Sequence, residues 1–270
     1  MPFATISESP LTPGVSPVKI HYRGAGDGLP LIFLHSGWGY CSYPFDNQIE
    51  EFSDRFKIII PDRSGYGRSA KIEALPADFH ARAAMEMISL LNALNIRRGV
   101  LWGHSDGAVI AAWMGLLAPT RFDGLILEAF HYFRVKPRSE EFFRTLAHNP
   151  DQVGERICQR LVLDHGEDRW REVIKINSDA WLKIAAESKH ASEDLYRGRL
   201  KGLTVPTIFV HGVHDPRTEP GELEAVGEIL PRAPINKIEG ARHSPHSEKG
   251  VVRHTNELAR GFLQSIKLRK

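Results

Sequence analysis

The sequence is short of the features that mark several classes of protein. It has two cysteines in 270 residues, Cys41 and Cys158, and neither belongs to a C-x-x-C pair. A disulfide scaffold is not expected, and reduced thiols in a cytoplasmic setting are. No apolar run approaches the ~20 residues that cross a bilayer. The start Met1-Pro2-Phe3-Ala4-Thr5 lacks the basic-then-apolar order of a signal peptide. Excess charge of one sign is missing as well: 35 Lys and Arg stand against 33 Asp and Glu, a net +2. That balance offers nothing to draw the chain to nucleic acid or an anionic membrane. Internal repeats and low-complexity tracts are also absent. What is there, 42% hydrophobic and 25% charged, reads as a globular chain. Its length suits one large α/β domain carrying an insertion.

Short apolar runs recur along it. Val18 to Arg23 alternates like a strand wet on one side, after a proline-rich connection from Ser9 to Pro17. Leu31 to Leu34, Ile58 to Ile60, Gly99 to Trp102, Leu125 to Leu127 and Thr207 to Val210 are nearly unbroken. Runs of this kind suit strands buried on both faces, as in a parallel sheet. Ile235 to Ile238 is a weaker member of the set. Helical spacing appears between them, over Phe79 to Leu94, Asp106 to Leu117, Glu222 to Leu230 and His254 to Leu263. Strand and helix alternate from about residue 30 to 130 and again from about 204 onward, which predicts a doubly wound α/β core over 1–130 and 204–270. The stretch 131–203 has no convincing strand. Its helix-favouring segments, Ser139 to Ala147, Val153 to Val162 and Trp170 to Ala186, predict a helical cap inserted over the sheet.

The chemistry concentrates in loops that follow strands. Gly103-His104-Ser105-Asp106-Gly107 is the only G-x-S-x-G match, set between the strand Gly99 to Trp102 and the helix from Asp106. A serine on so sharp a turn is pushed out of the carboxyl edge of the sheet, where it can act as a nucleophile. A serine hydroxyl needs a base at neutral pH. His243 follows the last weak strand and a glycine turn, and His246 is its rival. The base needs a carboxylate to fix its tautomer. Asp215 follows the strand Thr207 to Val210, and Glu128, at the end of Leu125 to Leu127, is the alternative acid. The turn His35-Ser36-Gly37-Trp38-Gly39 can present a backbone N–H to an oxyanion. Gly37, or else Trp38, is paired in that role with the N–H of Asp106. Trp38, His104, Phe130, His131 and Trp181 are candidates for the substrate pocket, with Tyr132, Phe133 and Trp170 also available. Arg134, Lys136 and Arg138 could meet an acidic substrate group, although a solvated basic turn is the plainer reading. A His243/His246 metal pair has no carboxylate or cysteine cluster beside it in sequence, so neither metal nor organic cofactor is expected.

These motifs together resemble the α/β-hydrolase family over nearly the whole chain. They are the His35–Gly39 turn, Asp62-Arg63-Ser64-Gly65-Tyr66-Gly67-Arg68-Ser69 after the next strand, the Ser105 elbow, and the Asp215 and His243 loops. Two positions depart from the family pattern: Ser36 replaces the usual glycine, and Ser64 lies within the D-R-S-G segment. A serine at the elbow separates the chain from the haloalkane dehalogenase and epoxide hydrolase branches, which carry aspartate there. Gly103–Gly107 and His243-Ser244-Pro245-His246 are similar to valacyclovir-hydrolase-like and enol-lactonase-like enzymes. The resemblance implies a cofactor-free Ser–His–Asp hydrolase acting on a small carboxylic ester, lactone or thioester. A C–C bond hydrolase or lyase on the same triad, or a low-turnover ligand receptor, stays open, as does a homo-oligomer.

Overall fold

The computed structural model describes residues 2–268. Eight strands form one sheet: β1 (Phe3–Ile6), β2 (Val18–Ala25), β3 (Leu29–Leu34), β4 (Phe56–Pro61), β5 (Gly99–His104), β6 (Phe122–Glu128), β7 (Thr207–Gly212) and β8 (Ile235–Ile238). Their spatial order is β1-β2-β4-β3-β5-β6-β7-β8. β2 runs antiparallel to both its neighbours, and every other pairing is parallel. The six apolar runs read from the sequence are β3 to β8.

Alternation along the strands divides the core in two. Leu31 and Phe33 of β3, with Val100 and Trp102 of β5, face one apolar layer. Ile32 and Leu34, with Leu101, face the other. The first layer is closed by α1 (Asp46–Phe52) through Phe52, and by α8 (Val252–Ser265) through Ala259, Phe262 and Leu263. The second is closed by α2 (Phe79–Ala93), α3 (Asp106–Leu117) and α7 (Glu222–Ile229). Both sheet faces are therefore dry, which is why the central strands carry no polar alternation.

Between β6 and β7 the chain forms α4 (Pro137–His148), α5 (Glu155–His165) and α6 (Trp170–Ala186), with no strand. Leu146, Leu161, Trp170 and Ile174 make a small apolar cluster of their own. The far end of α6 differs: Ala180, Trp181 and Ile184 join the main core. These helices grip the α/β body through that end of α6 and through the end of α5, where Asp164 accepts the Cys41 N–H at 3.0 Å and His165 Nδ1 accepts the Gly67 N–H at 2.9 Å.

Two elements escaped the sequence pattern. β1 is four residues long, at the sheet edge, and α1 is a seven-residue helix with only Gln48 and Phe52 buried. Neither is long enough to show a period.

Candidate active site

Three loops at the carboxyl ends of β5, β7 and β8 bring Ser105, Asp215 and His243 together. His243 Nε2 lies 3.1 Å from Ser105 Oγ. Its Nδ1 lies 2.9 and 3.0 Å from the two carboxylate oxygens of Asp215. Burial would raise the Asp215 carboxyl, but the charge and hydrogen bond of His243, with His211 nearby, hold it far below the carboxylate range. Asp215 is fixed in turn by the Arg217 N–H, which donates to Oδ1 at 2.8 Å.

The elbow is strained. Ser105 sits at φ 55° and ψ −121°, a region side chains avoid. The strain is held by the Ser105 N–H donating to the Glu128 carbonyl at 2.9 Å, and by glycines on both sides. A Cβ on Gly103 would meet the Gly107 carbonyl, and one on Gly107 would meet that of Leu34. The rule that glycines flank the serine is here a matter of space.

Opposite the serine lies the turn after β3. Gly37, Trp38 and Asp106 line the same cavity as Ser105. Ser36 places its Oγ 3.4 Å from the Trp38 N–H, within the turn itself. That leaves Gly37 the freer donor of the two. Beneath the turn, the buried guanidinium of Arg63 donates to the carbonyls of His35 at 2.6 Å and Ser36 at 2.9 Å. Tying these oxygens back turns the opposite peptide edge toward the cavity.

The Asp106 side chain performs a separate task. Its carboxylate accepts from Asn177 Nδ2 at 2.8 Å and from Trp181 Nε1 at 3.1 Å, both on α6, and Oδ1 lies 3.2 Å from His80 Nε2. Burial works against the charge, yet His80 and Arg63 keep this carboxyl low. Asp106 thus pins α6 beside the elbow. Asn177, His80 and Arg63 were not singled out in the sequence. Only Arg63 lay in a motif, and nothing local marks the other two.

The cavity encloses about 790 Å³. Trp38, stacked on Tyr43 and Phe142, forms one aromatic wall, and Phe143 stacked on Trp181 forms another. His131 lines it too, with Nε2 3.3 Å from Ser105 Oγ. Burial, and then Lys136, push the His131 ring well below the usual histidine range.

Several expected pocket residues lie elsewhere. Phe130 is fully buried, stacked on Tyr196 and edge-on to Phe209, because β6 ends by turning its ring into the core. His104 points away from the cavity, with Nε2 2.8 Å from the His243 carbonyl and 3.1 Å from Ser244 Oγ. Trp170 belongs to the small cluster among α4–α6. Lys136 is spent in a buried pair with Glu222, and Arg134 on Ser188 and Glu193. The rival acid and base find each other: Glu128 Oε1 lies 2.7 Å from His246 Nδ1. A carboxylate does therefore accompany His246, and His104, Glu128 and His246 place ligand-type atoms within 4.8 Å of one another. His246 Nε2 faces the Tyr43 carbonyl at 3.1 Å and Nδ1 faces Glu128, so both ring nitrogens of His246 are engaged, while His104 Nδ1 is buried without a hydrogen-bond partner among the described residues. Among the described residues, no helix is long and apolar enough to cross a membrane.

Known proteins resemble this chain. The non-heme chloroperoxidase of Streptomyces lividans is 29% identical over 89% of this chain and 95% of its own length. The human serine hydrolase BPHL is 23% identical over 93% of this chain and 84% of its own. A solved structure, a thermophilic esterase from Thermogutta terrifontis with malate bound, superposes with a TM-score of 0.73 at 23% identity, covering 98% of both chains. Residues 30–173 match the α/β-hydrolase fold family, and the chain belongs to that family.

Proposed function

We propose that the protein is a serine hydrolase that cleaves a small carboxylic ester, lactone or thioester through an acyl-enzyme. The observation that carries this reading is the chain of contacts from Asp215 through His243 to Ser105. With Nδ1–H donated to Asp215, His243 Nε2 is the acceptor and takes the Ser105 proton. The Ser105 oxygen attacks the carbonyl carbon, and the N–H groups of Gly37 and Asp106 receive the oxyanion. The carbon–oxygen or carbon–sulfur bond to the leaving group breaks, and His243 returns the proton to the departing atom. Water then adds by the same route and releases the acid.

Two imidazoles face one hydroxyl, and His243 is the one whose other nitrogen is held by a carboxylate. His131 is depressed by burial, so it is the poorer base. Because the Ser105 proton is directed at His243, His131 serves as an N–H donor to the serine oxygen. The family membership and the esterase and hydrolase relatives support the reaction class, and the aromatic walls suit a small-molecule substrate. The helices α4–α6 act as the lid of the cavity.

A fluorophosphonate probe tests the reading. The expected result is a single adduct on Ser105, together with turnover of short p-nitrophenyl esters. No labelling at residue 105 would overturn it.

A further inference from the structure

The cavity above Ser105 is unevenly charged although the chain as a whole is not. Arg156 and Arg160 of α5, Arg217 after β7, and Arg242 and Lys249 after β8 all line it. The acids on the same wall are Asp106 and Glu248. Asp106 is taken by His80, Asn177 and Trp181. Glu248 is taken by the N–H groups of Arg242 at 2.8 Å and Ser244 at 2.7 Å. Neither acid makes an ion pair with any of these five cations. Arg217 and Arg160 are the half-buried members, and among the described residues neither makes an ion pair. Elsewhere the partly buried cations Arg23 and Lys136 do have carboxylate partners. The Arg217 guanidinium lies over the Phe142 ring and next to Tyr43, whose ring is 6.4 Å from that of His243. Burial pushes its pKa down to about 10 against the opposing pull of Asp215, which makes no ion pair with it and is itself held by His243. Arg160 spends one N–H on the Ser42 carbonyl at 3.2 Å, leaving the rest of its fork toward the cavity.

A half-buried cation with no ion-pair partner is a binding group waiting for an anion. Building on the hydrolase reading, we infer that the substrate is an ester that carries a free carboxylate, held by Arg217 and Arg160 while its ester carbonyl faces Ser105. A carboxylate fits better than a dianionic phosphate, because Asp106 and Glu248 on the same wall oppose a second negative charge.

The test uses pairs of substrates that differ only in charge. Monomethyl glutarate is compared with its carboxamide counterpart, and 3-acetoxypropanoate with its own, so that the charge is placed on either side of the ester. The expected result is a preference in kcat/KM of about tenfold or more for the anionic member of at least one pair. In Arg217→Gln and Arg160→Gln that ratio shrinks toward one, and Arg217→Lys keeps part of it. Reading a ratio within each variant cancels any general damage to the triad. Equal or better turnover of both carboxamides overturns the inference, as does a ratio that survives both Gln variants. Calorimetry on Ser105→Ala with glutarate and glutaramide separates this idea from the hydrolase reading. Selective glutarate binding without turnover by the intact protein sinks the reaction and keeps the anion site. Ester turnover without a charge preference, and no selective glutarate binding, does the reverse.

Discussion

Glu128 and His246 form a second carboxylate–imidazole pair, wholly buried and 2.7 Å apart, directly behind the loop that carries His243. Glu128 also accepts the His246 N–H at 3.0 Å and the Trp102 indole N–H at 3.0 Å. Its carbonyl holds the Ser105 N–H, so one residue braces both the elbow and the histidine loop. Neither Glu128 nor His246 touches the serine hydroxyl, and the pair is a support for the site.

Its chemistry gives a pH signature. Burial would raise the Glu128 carboxyl, but His246 and then His104 bring it down to about 2, from an ordinary value of 4.5. A depressed carboxyl stabilises the fold above its unfolded pKa and loses that effect as pH falls toward the folded one. Glu128→Gln should therefore cost on the order of 3 kcal/mol at pH 7, and the gap from the native protein should close between about pH 4.5 and 2. Urea titrations across that range measure it. A difference that is constant with pH would show that the pair adds no charge-dependent stability.

Asp215 should differ in its effect on turnover. Asp215→Asn removes the group that fixes the His243 tautomer and should lower kcat by about 10⁴-fold even at a temperature where the variant is folded. Because His243 holds the Asp215 carboxyl low, stability at neutral pH is lost as well. Glu128→Gln should lose less than about tenfold in kcat at a temperature where it is folded. Reversed effects would exchange the two acids' roles.

Ser105→Ala should abolish fluorophosphonate labelling and lower turnover by on the order of 10⁴-fold or more. Folding should hold or improve, since alanine at φ 55° carries the same backbone strain without a functional hydroxyl. Residual activity above a tenth of native, measured with a p-nitrophenyl ester, rules out the nucleophile.

The sequence carried the frame of this site further than its lining. Buried parallel strands cannot alternate, so β3 to β8 appeared as apolar runs, and the serine, aspartate and histidine were placed by the loops after them. Trp170 to Ala186 matched α6 end to end because its helical spacing is sustained over 17 residues. Direction was harder. His104 and Phe130 stand next to functional loops, but backbone geometry turns both into the interior, and sequence position does not encode that rotation. The choice between Glu128 and Asp215 rested on contacts 118 and 28 residues apart, which no local pattern reports. The same holds for the grip of Asp106 on Asn177 and Trp181 across 71 and 75 residues.

His131 provides a test of how two imidazoles share one serine. As an N–H donor to Ser105 Oγ it should matter, but only by the worth of one hydrogen bond. His131→Gln should lower kcat/KM by about tenfold. Because burial keeps the His131 ring neutral, its removal should leave the acid limb of the pH–rate profile in place. A shifted acid limb, or a loss as large as that of Ser105→Ala, would make His131 the base.

Gly37 offers the sharpest steric test of the oxyanion turn. A Cβ there would stand 2.5 Å from Asn177 Nδ2 and from Asp106 Oδ2. Asp106 is locked by three donors, so it cannot yield, and the turn must move instead. Displacing one oxyanion donor typically costs ~10²-fold in kcat, with far less effect on KM. Gly37→Ala should show that split with a p-nitrophenyl ester. Asn177→Ala in the same chain removes one of the two obstacles and should restore part of the lost kcat relative to the single Asn177→Ala variant. If Gly37→Ala turns over as fast as the native protein, the N–H of residue 37 does not hold the oxyanion.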